Sequence, residues 1–214
     1  MKIFGIGFYK TGTTSLAVAL ETIGYSVVDG ESTLRPGYGD EGRTLIEYIE
    51  NGNYRFPIIE QHDAFTDAPY CFVWRQLDRE FPNSKFVLTV RDEDEWISSV
   101  LRFYSGRPVQ LIRDYFFRSC GDPTRSVECR DEWLNRYKQH NREVLAYFED
   151  RPNDLLVMDL SKGDSWSTLA TYLGQKIPTG QFPHANRHHG KFEQRMRSLY
   201  RIFLKNIWKR NRWS

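Results

Sequence analysis

The apolar run Ile3-Phe4-Gly5-Ile6 passes through a turn holding Gly7 and Gly12 into Leu16-Ala17-Val18-Ala19-Leu20, and this opening constrains the fold more than any other feature of the chain. The run reads as a short buried strand and the second segment as the helix it feeds. The turn between them therefore sits at a helix N-terminus, where amide N–H groups and the helix dipole favour a doubly charged anion. A nucleoside triphosphate loop follows G-x-x-x-x-G-K-[ST], with lysine on the β/γ oxygens and the hydroxyl on magnesium. Here Gly7 and Gly12 keep the spacing and Thr14 keeps the hydroxyl. Position 13, however, is threonine, and the lysine comes three residues earlier, at Lys10.

The rest of the chain repeats the alternation. A second short strand is expected near residues 26–29, a surface loop at 30–42, and a helix at 44–51 ended by Asn51-Gly52. Residues 56–60 read as a strand entering the Asp63 segment, 70–81 as a helix, and 85–90 as an apolar strand. Helices follow at 96–103, 109–117 and 131–148, then a buried strand at 155–159 and a helix at 166–173. Strands alternating with helices predict an α/β three-layer sandwich, a central parallel sheet with helices on both faces. Ligands in such sheets bind beyond the C-terminal strand ends, where this reading puts Lys10, Asp63, Asp67, Arg91 and Asp159.

With 40% apolar and 15% aromatic residues, 214 residues can bury one sizeable core, so a single domain over 1–214 is expected. Cys71, Cys120 and Cys129 are odd in number and lack C-x-x-C spacing, which indicates neither a disulfide framework nor a zinc site and favours a reduced, cytoplasmic setting. No signal-peptide pattern precedes the first strand, and no apolar stretch approaches the length of a membrane span. The net charge of +2 hides an asymmetry: residues 187–214 carry nine Lys and Arg against Glu193 alone. Within them Met196, Leu199, Tyr200, Phe203, Leu204, Ile207 and Trp208 recur at helical spacing, predicting a basic amphipathic helix at about 192–212. Such a helix either packs on the body or makes peripheral contact with an anionic membrane surface or acidic partner. Nucleic acid is not expected, because no recognised binding module accompanies the patch.

Lys10-Thr11-Gly12-Thr13-Thr14-Ser15 resembles the 5′-phosphosulfate loop of sulfotransferases that use 3′-phosphoadenosine 5′-phosphosulfate (PAPS), often written K-[ST]-G-T-[TS]. Lys85-Phe86-Val87-Leu88-Thr89-Val90-Arg91 followed by Ser99 resembles the strand, arginine and serine that bind the donor's 3′-phosphate in that family. Asp63-Ala64-Phe65-Thr66-Asp67-Ala68-Pro69 and Phe182-Pro183-His184-Ala185-Asn186 are similar to segments of a small single-domain branch. The resemblance spans most of residues 1–190 and implies a P-loop NTPase-like sheet and sulfuryl transfer from PAPS to a hydroxyl or amine, with no metal required. It implies that Lys10 neutralises the leaving oxygen while Tyr9, Thr11, Gly12, Thr13, Thr14 and Ser15 surround the 5′-phosphate, and that Arg91 and Ser99 take the 3′-phosphate. Arg187, Gly190 and Lys191 stand where the family closes a late basic-glycine loop over the nucleotide, although Arg187-His188-His189-Gly190-Lys191 departs from its R-K-G wording. Ser15 stands where many cytosolic relatives place an aromatic that stacks on adenine.

A sulfate acceptor must lose a proton, and Asp67, Asp63 and His62 share the segment expected to supply the base, in that order of preference. Asp67 has a structural alternative, capping the helix that follows. For Arg91 the alternative is an ion pair with a neighbour such as Asp92 or Asp94. His184, His188 and His189 lack an acidic or cysteine partner at ligand spacing, so no metal is expected there. One rival reading is a nucleotide kinase or NTPase with Asp159 and Thr14 on magnesium; the absent lysine at position 13 opposes it. Another is a non-catalytic nucleotide-binding protein docked to a membrane by its tail. The acceptor is not readable, though the loops 30–42 and 104–130 are expected to wall its pocket.

Overall fold

The computed structural model describes residues 1–30, 39–105 and 126–185, with Phe116 and Thr124; side chains are described throughout these except at 39–44. Five strands, β1 (Ile3–Gly5), β2 (Val27–Asp29), β3 (Ala64–Thr66), β4 (Lys85–Thr89) and β5 (Leu155–Met158), form one sheet in the order β2-β3-β1-β4-β5. Every neighbouring pair is parallel. The helices of the described residues are α1 (Thr13–Thr22), α2 (Gly39–Glu50), α3 (Pro57–Gln61), α4 (Trp74–Glu80), α5 (Glu93–Tyr104), α6 (Val127–Tyr147) and α7 (Trp166–Tyr172). The expected three-layer α/β architecture is the one observed.

Alternation along the strands assigns the layers. Phe4, Phe65, Phe86 and Leu88 meet Leu45 of α2, Ile59 of α3, Trp74 and Leu77 of α4, and Val144 of α6 in one core cluster. Ile3, Ala64, Val87 and Met158 face the other way, onto Leu16, Ala19 and Leu20 of α1 and Trp166 and Leu169 of α7. Central parallel strands covered on both sides read as nearly continuous apolar runs, which is why β1 and β4 were legible. From the adjacent strands β1 and β4 the chain departs toward opposite faces, to α1 on one side and α5 on the other. The strand order reverses between β1 and β4, and open parallel sheets bind ligands beyond the strand ends at such a switch point.

Several sequence expectations are corrected. Residues 56–60 are not a strand: Pro57 opens α3, its fixed φ and missing N–H suiting a first helical turn. The strand is instead Ala64–Thr66, so Asp63 precedes it and Asp67 follows it. β5 is not buried but an edge strand, with Val157 40% exposed and Met158 alone fully covered. α2 starts at Gly39, inside the expected loop, and α4 starts at Trp74, four residues later than read. α5 starts earlier than expected because the Asp92 carboxylate caps it, accepting from the amides of Asp94 and Glu95 at 3.1 Å each. Ser126 likewise caps α6 through the Cys129 amide at 3.1 Å. Cys129 is disulfide-bonded, against the expectation of thiols throughout, while Cys71 is a buried thiol. The expected helix at 109–117 lies outside the described residues except for Phe116. Among the described residues no helix is long and apolar enough to cross a membrane.

Candidate active site

The loop from Ile6 to Gly12 joins β1 to α1 and is shaped by two glycines. A Cβ at Gly7 would collide with the hydroxyl and the carbonyl oxygen of Thr89, so the loop lies directly against the end of β4. Gly12, the N-cap of α1, has φ 107°, and a Cβ there would also come within 2.7 Å of Leu160 Cδ1. Among the described residues no side chain caps α1. The opening amides of the helix have no intrahelical partner by construction, and a glycine at the cap brings no side-chain oxygen of its own to compete with an anion.

The loop's carbonyls, by contrast, are engaged from behind. His140 Nε2 lies 2.8 Å from the Ile6 carbonyl. Because a carbonyl only accepts, that nitrogen carries the proton, and burial pulls the imidazole pKa down to about 4, keeping it neutral. The Phe8 carbonyl accepts from the Thr11 hydroxyl, which itself meets Thr89 Oγ1 at 2.6 Å. Trp96 Nε1 donates to the Tyr9 carbonyl at 2.9 Å. The Phe8 ring stacks on His140 at 4.3 Å, and Tyr9 meets Tyr104 and Trp133 edge-on at 6.1 and 5.7 Å. The loop is thus anchored in an aromatic core built mainly by α5 and α6.

This packing sorts the residues expected around the 5′-phosphate. Tyr9 is buried in the aromatic cluster, so its side chain is structural here. The Thr11 hydroxyl is committed to Phe8 and Thr89, and Thr13 and Ser15 are buried. Thr14 and Lys10 are half-buried at the loop's open side. The Lys10 ammonium lies 4.6 Å from the centroid of the Phe103 ring. Lys10 has φ 69° and Asp67 φ 68°; with Asn83 they are the only non-glycine residues of positive φ among the described residues. Such backbone costs about 1–3 kcal/mol and concentrates at functional positions.

β4 delivers Arg91 to the same rim, on the strand next to β1. Its main chain is held by one hydroxyl: the Arg91 amide donates to Tyr137 Oη at 2.9 Å, and that hydroxyl donates to the Arg91 carbonyl at 2.8 Å. Its guanidinium Nε donates to Glu95 Oε2 at 3.0 Å, a half-exposed ion pair. The anticipated ion-pair alternative therefore exists, but with Glu95 rather than Asp92 or Asp94. Ser99 is half-buried one turn beyond Glu95 along α5.

The three candidates for a base are separated. Ala64 pairs with Ile3 and with Val27, all at strand starts, so Asp63 and His62 lie at the rim opposite Lys10. There the Asp63 carboxylate accepts from the Ser26 amide at 3.0 Å, and His62 Nδ1 lies 2.7 Å from Ser26 Oγ. Asp67, 3% exposed, stands at the C-terminal end of β3, beside the loop leaving β1. Its Oδ1 accepts from the Ala68 amide at 2.7 Å, and it does not cap α4, whose N-cap is Val73. Asp159 is bound into its own turn by the Ser161 amide and hydroxyl and by Lys162. Sequence reasoning missed His140, Trp96 and Tyr137, which act on main chain remote in sequence; nothing in their local pattern distinguishes them from core aromatics. Arg187, Gly190, Lys191 and the basic segment 192–212 lie outside the described residues, as does most of both loops expected to wall an acceptor pocket.

A family model described as "Sulfotransferase domain" matches residues 2–190. A protein of Aspergillus versicolor described as "Ava biosynthesis cluster protein M" is 22% identical over 217 residues, covering 86% of this chain and 80% of that protein.

Proposed function

Because this chain belongs to the sulfotransferase family, we propose that it moves a sulfuryl group from PAPS to a hydroxyl or amine of an acceptor. The observation that carries the donor assignment is the loop after β1: its carbonyls are bonded to the core, its helix has a glycine N-cap, and Lys10 projects from it in a strained backbone. That arrangement fits a terminal phosphosulfate. Gly12, Thr13 and Thr14 would receive the 5′-phosphate on main-chain amides and the Thr14 hydroxyl. Arg91, with Ser99 beyond it, would take the 3′-phosphate that distinguishes this donor from ATP.

In transfer, the bond from sulfur to the phosphate's bridging oxygen breaks as sulfur bonds to the acceptor atom. Lys10 meets the charge left on the bridging oxygen, the electrostatic role that dominates such transfers. Asp67 takes the acceptor's proton; it follows the strand beside the loop, whereas Asp63 and His62 are at the far rim. Asp159, which the kinase reading would place on magnesium, is engaged by its own turn.

Calorimetry tests the reading directly. Binding of 3′,5′-adenosine bisphosphate without magnesium, tighter than that of ATP, is the expected result. Preference for magnesium–ATP would replace the reading with the kinase alternative, and silence toward both would remove the donor site.

A further inference from the structure

Tyr137 and His140 are three residues apart on the buried face of α6, and each bonds main chain from a different half of the candidate site. Tyr137 holds both the amide and the carbonyl of Arg91, at 2.9 and 2.8 Å. His140 holds the Ile6 carbonyl, at 2.8 Å, where the loop leaves β1. Tyr137 stacks on Trp96 at 4.2 Å with the planes 9° apart, and Trp96 reaches the same loop at the Tyr9 carbonyl. We propose that the Tyr137–His140 pair of α6 is a splint that fixes the separation between the 5′-phosphate loop and the 3′-phosphate arginine.

The loop and β4 also touch directly, the Ile6 amide donating to the Val87 carbonyl at 2.8 Å and the Thr11 hydroxyl meeting Thr89 Oγ1 at 2.6 Å, but neither contact reaches Arg91 itself. Lengths of three and five residues leave β1 and β4 with few ladder bonds, and both functional segments begin where those strands end. A single helix spanning the two ends converts two local anchors into one distance, since α6 is rigid over a single turn. Tyr137 and His140 are positioning residues: the polar atoms of both bond the main chain of the candidate site, and neither belongs to the set that would contact the nucleotide. The geometry stands without the donor assignment; the consequence for nucleotide selectivity rests on it.

Two measurements on the full-length protein decide the matter. Tyr137→Phe keeps the ring on Trp96 but removes both bonds to Arg91, so in the nucleotide-free protein the Arg91 amide should exchange with deuterium roughly fivefold faster, the worth of one ordinary hydrogen bond. In calorimetry the same variant should lose preference for 3′,5′-adenosine bisphosphate over 5′-AMP by roughly tenfold, because only the 3′-phosphate feels Arg91. His140→Phe keeps the stack on Phe8 and should weaken both nucleotides alike, leaving the preference ratio unchanged, whereas His140→Gln, which retains a neutral donor, should restore binding. Unchanged exchange at Arg91, or an unchanged preference ratio in Tyr137→Phe, overturns the splint. If the wild-type protein binds neither nucleotide, the donor reading falls, while the exchange result still decides the splint.

Discussion

The two ends of the candidate donor site are built on opposite plans. The 5′ end is interior: its carbonyls are bonded to three side chains and its aromatic residues are core. The 3′ end is a surface arginine whose backbone is fixed but whose guanidinium is half-exposed and paired with a carboxylate. Rigidity is thus concentrated where bonds would change, because charge stabilisation there depends on groups that need no reorganisation. Anchoring is left to a group that must first exchange one partner for another.

That contrast divides the expected effects of substitution. The largest belong to the interior end: Asp67→Asn should lower kcat by roughly 10²–10⁴-fold with donor affinity little changed, as removal of a base does. Lys10→Ala should cost about 10²–10³ in rate, again more in kcat than in bisphosphate binding; a wild-type rate from either variant breaks the division. At the open end, Arg91→Ala should weaken 3′,5′-adenosine bisphosphate by roughly 10–100-fold yet leave 5′-AMP unchanged, and equal loss for both nucleotides would show that the arginine supports the fold instead.

Acid should expose the interior end. His140 falls from its usual 6.5 to about 4 on burial, so the unfolded chain binds the proton more readily than the folded one. Stability should therefore be full above about pH 6.5 and fall as pH drops toward about 4, by at most about 3 kcal/mol from this group. Denaturant titrations at about pH 7 and about pH 4.5 should show His140→Gln losing less than wild type, and identical losses would sink the assignment. The smallest effect belongs to the ion pair: Glu95→Gln should tighten bisphosphate binding by up to about fivefold, the range of exposed pairs, measured by the same calorimetry. Weaker binding would instead make Glu95 part of the site.

What was legible in the sequence follows from what is local. The opening loop was readable because Gly7 and Gly12 answer to backbone geometry a few residues away. The strand at Lys85 was readable because a strand buried on both faces is apolar throughout. Asp63 and Asp67 misled because their spacing looks like one motif, whereas a three-residue strand runs between them, about 10 Å of extended chain at 3.3 Å per residue. The segment 56–60 misled because Ile58 and Ile59 favour strands while Pro57 starts a helix, and burial of Ile59 sided with the proline. His140, Tyr137 and Trp96 were illegible because their partners are 134, 46 and 87 residues away.

The left-handed backbone at Lys10 and Asp67 has a consequence for anyone improving this protein by selection. At Lys10 glycine would relieve strain, whereas at Asp67 it would also orphan the Ala68 amide, so a screen that rewards heat tolerance alone would favour removal of the lysine side chain. Survivors of such a screen would be sturdier and inert, and the gap between their melting temperature and their turnover would measure how much conformational energy the native chain keeps in reserve for chemistry.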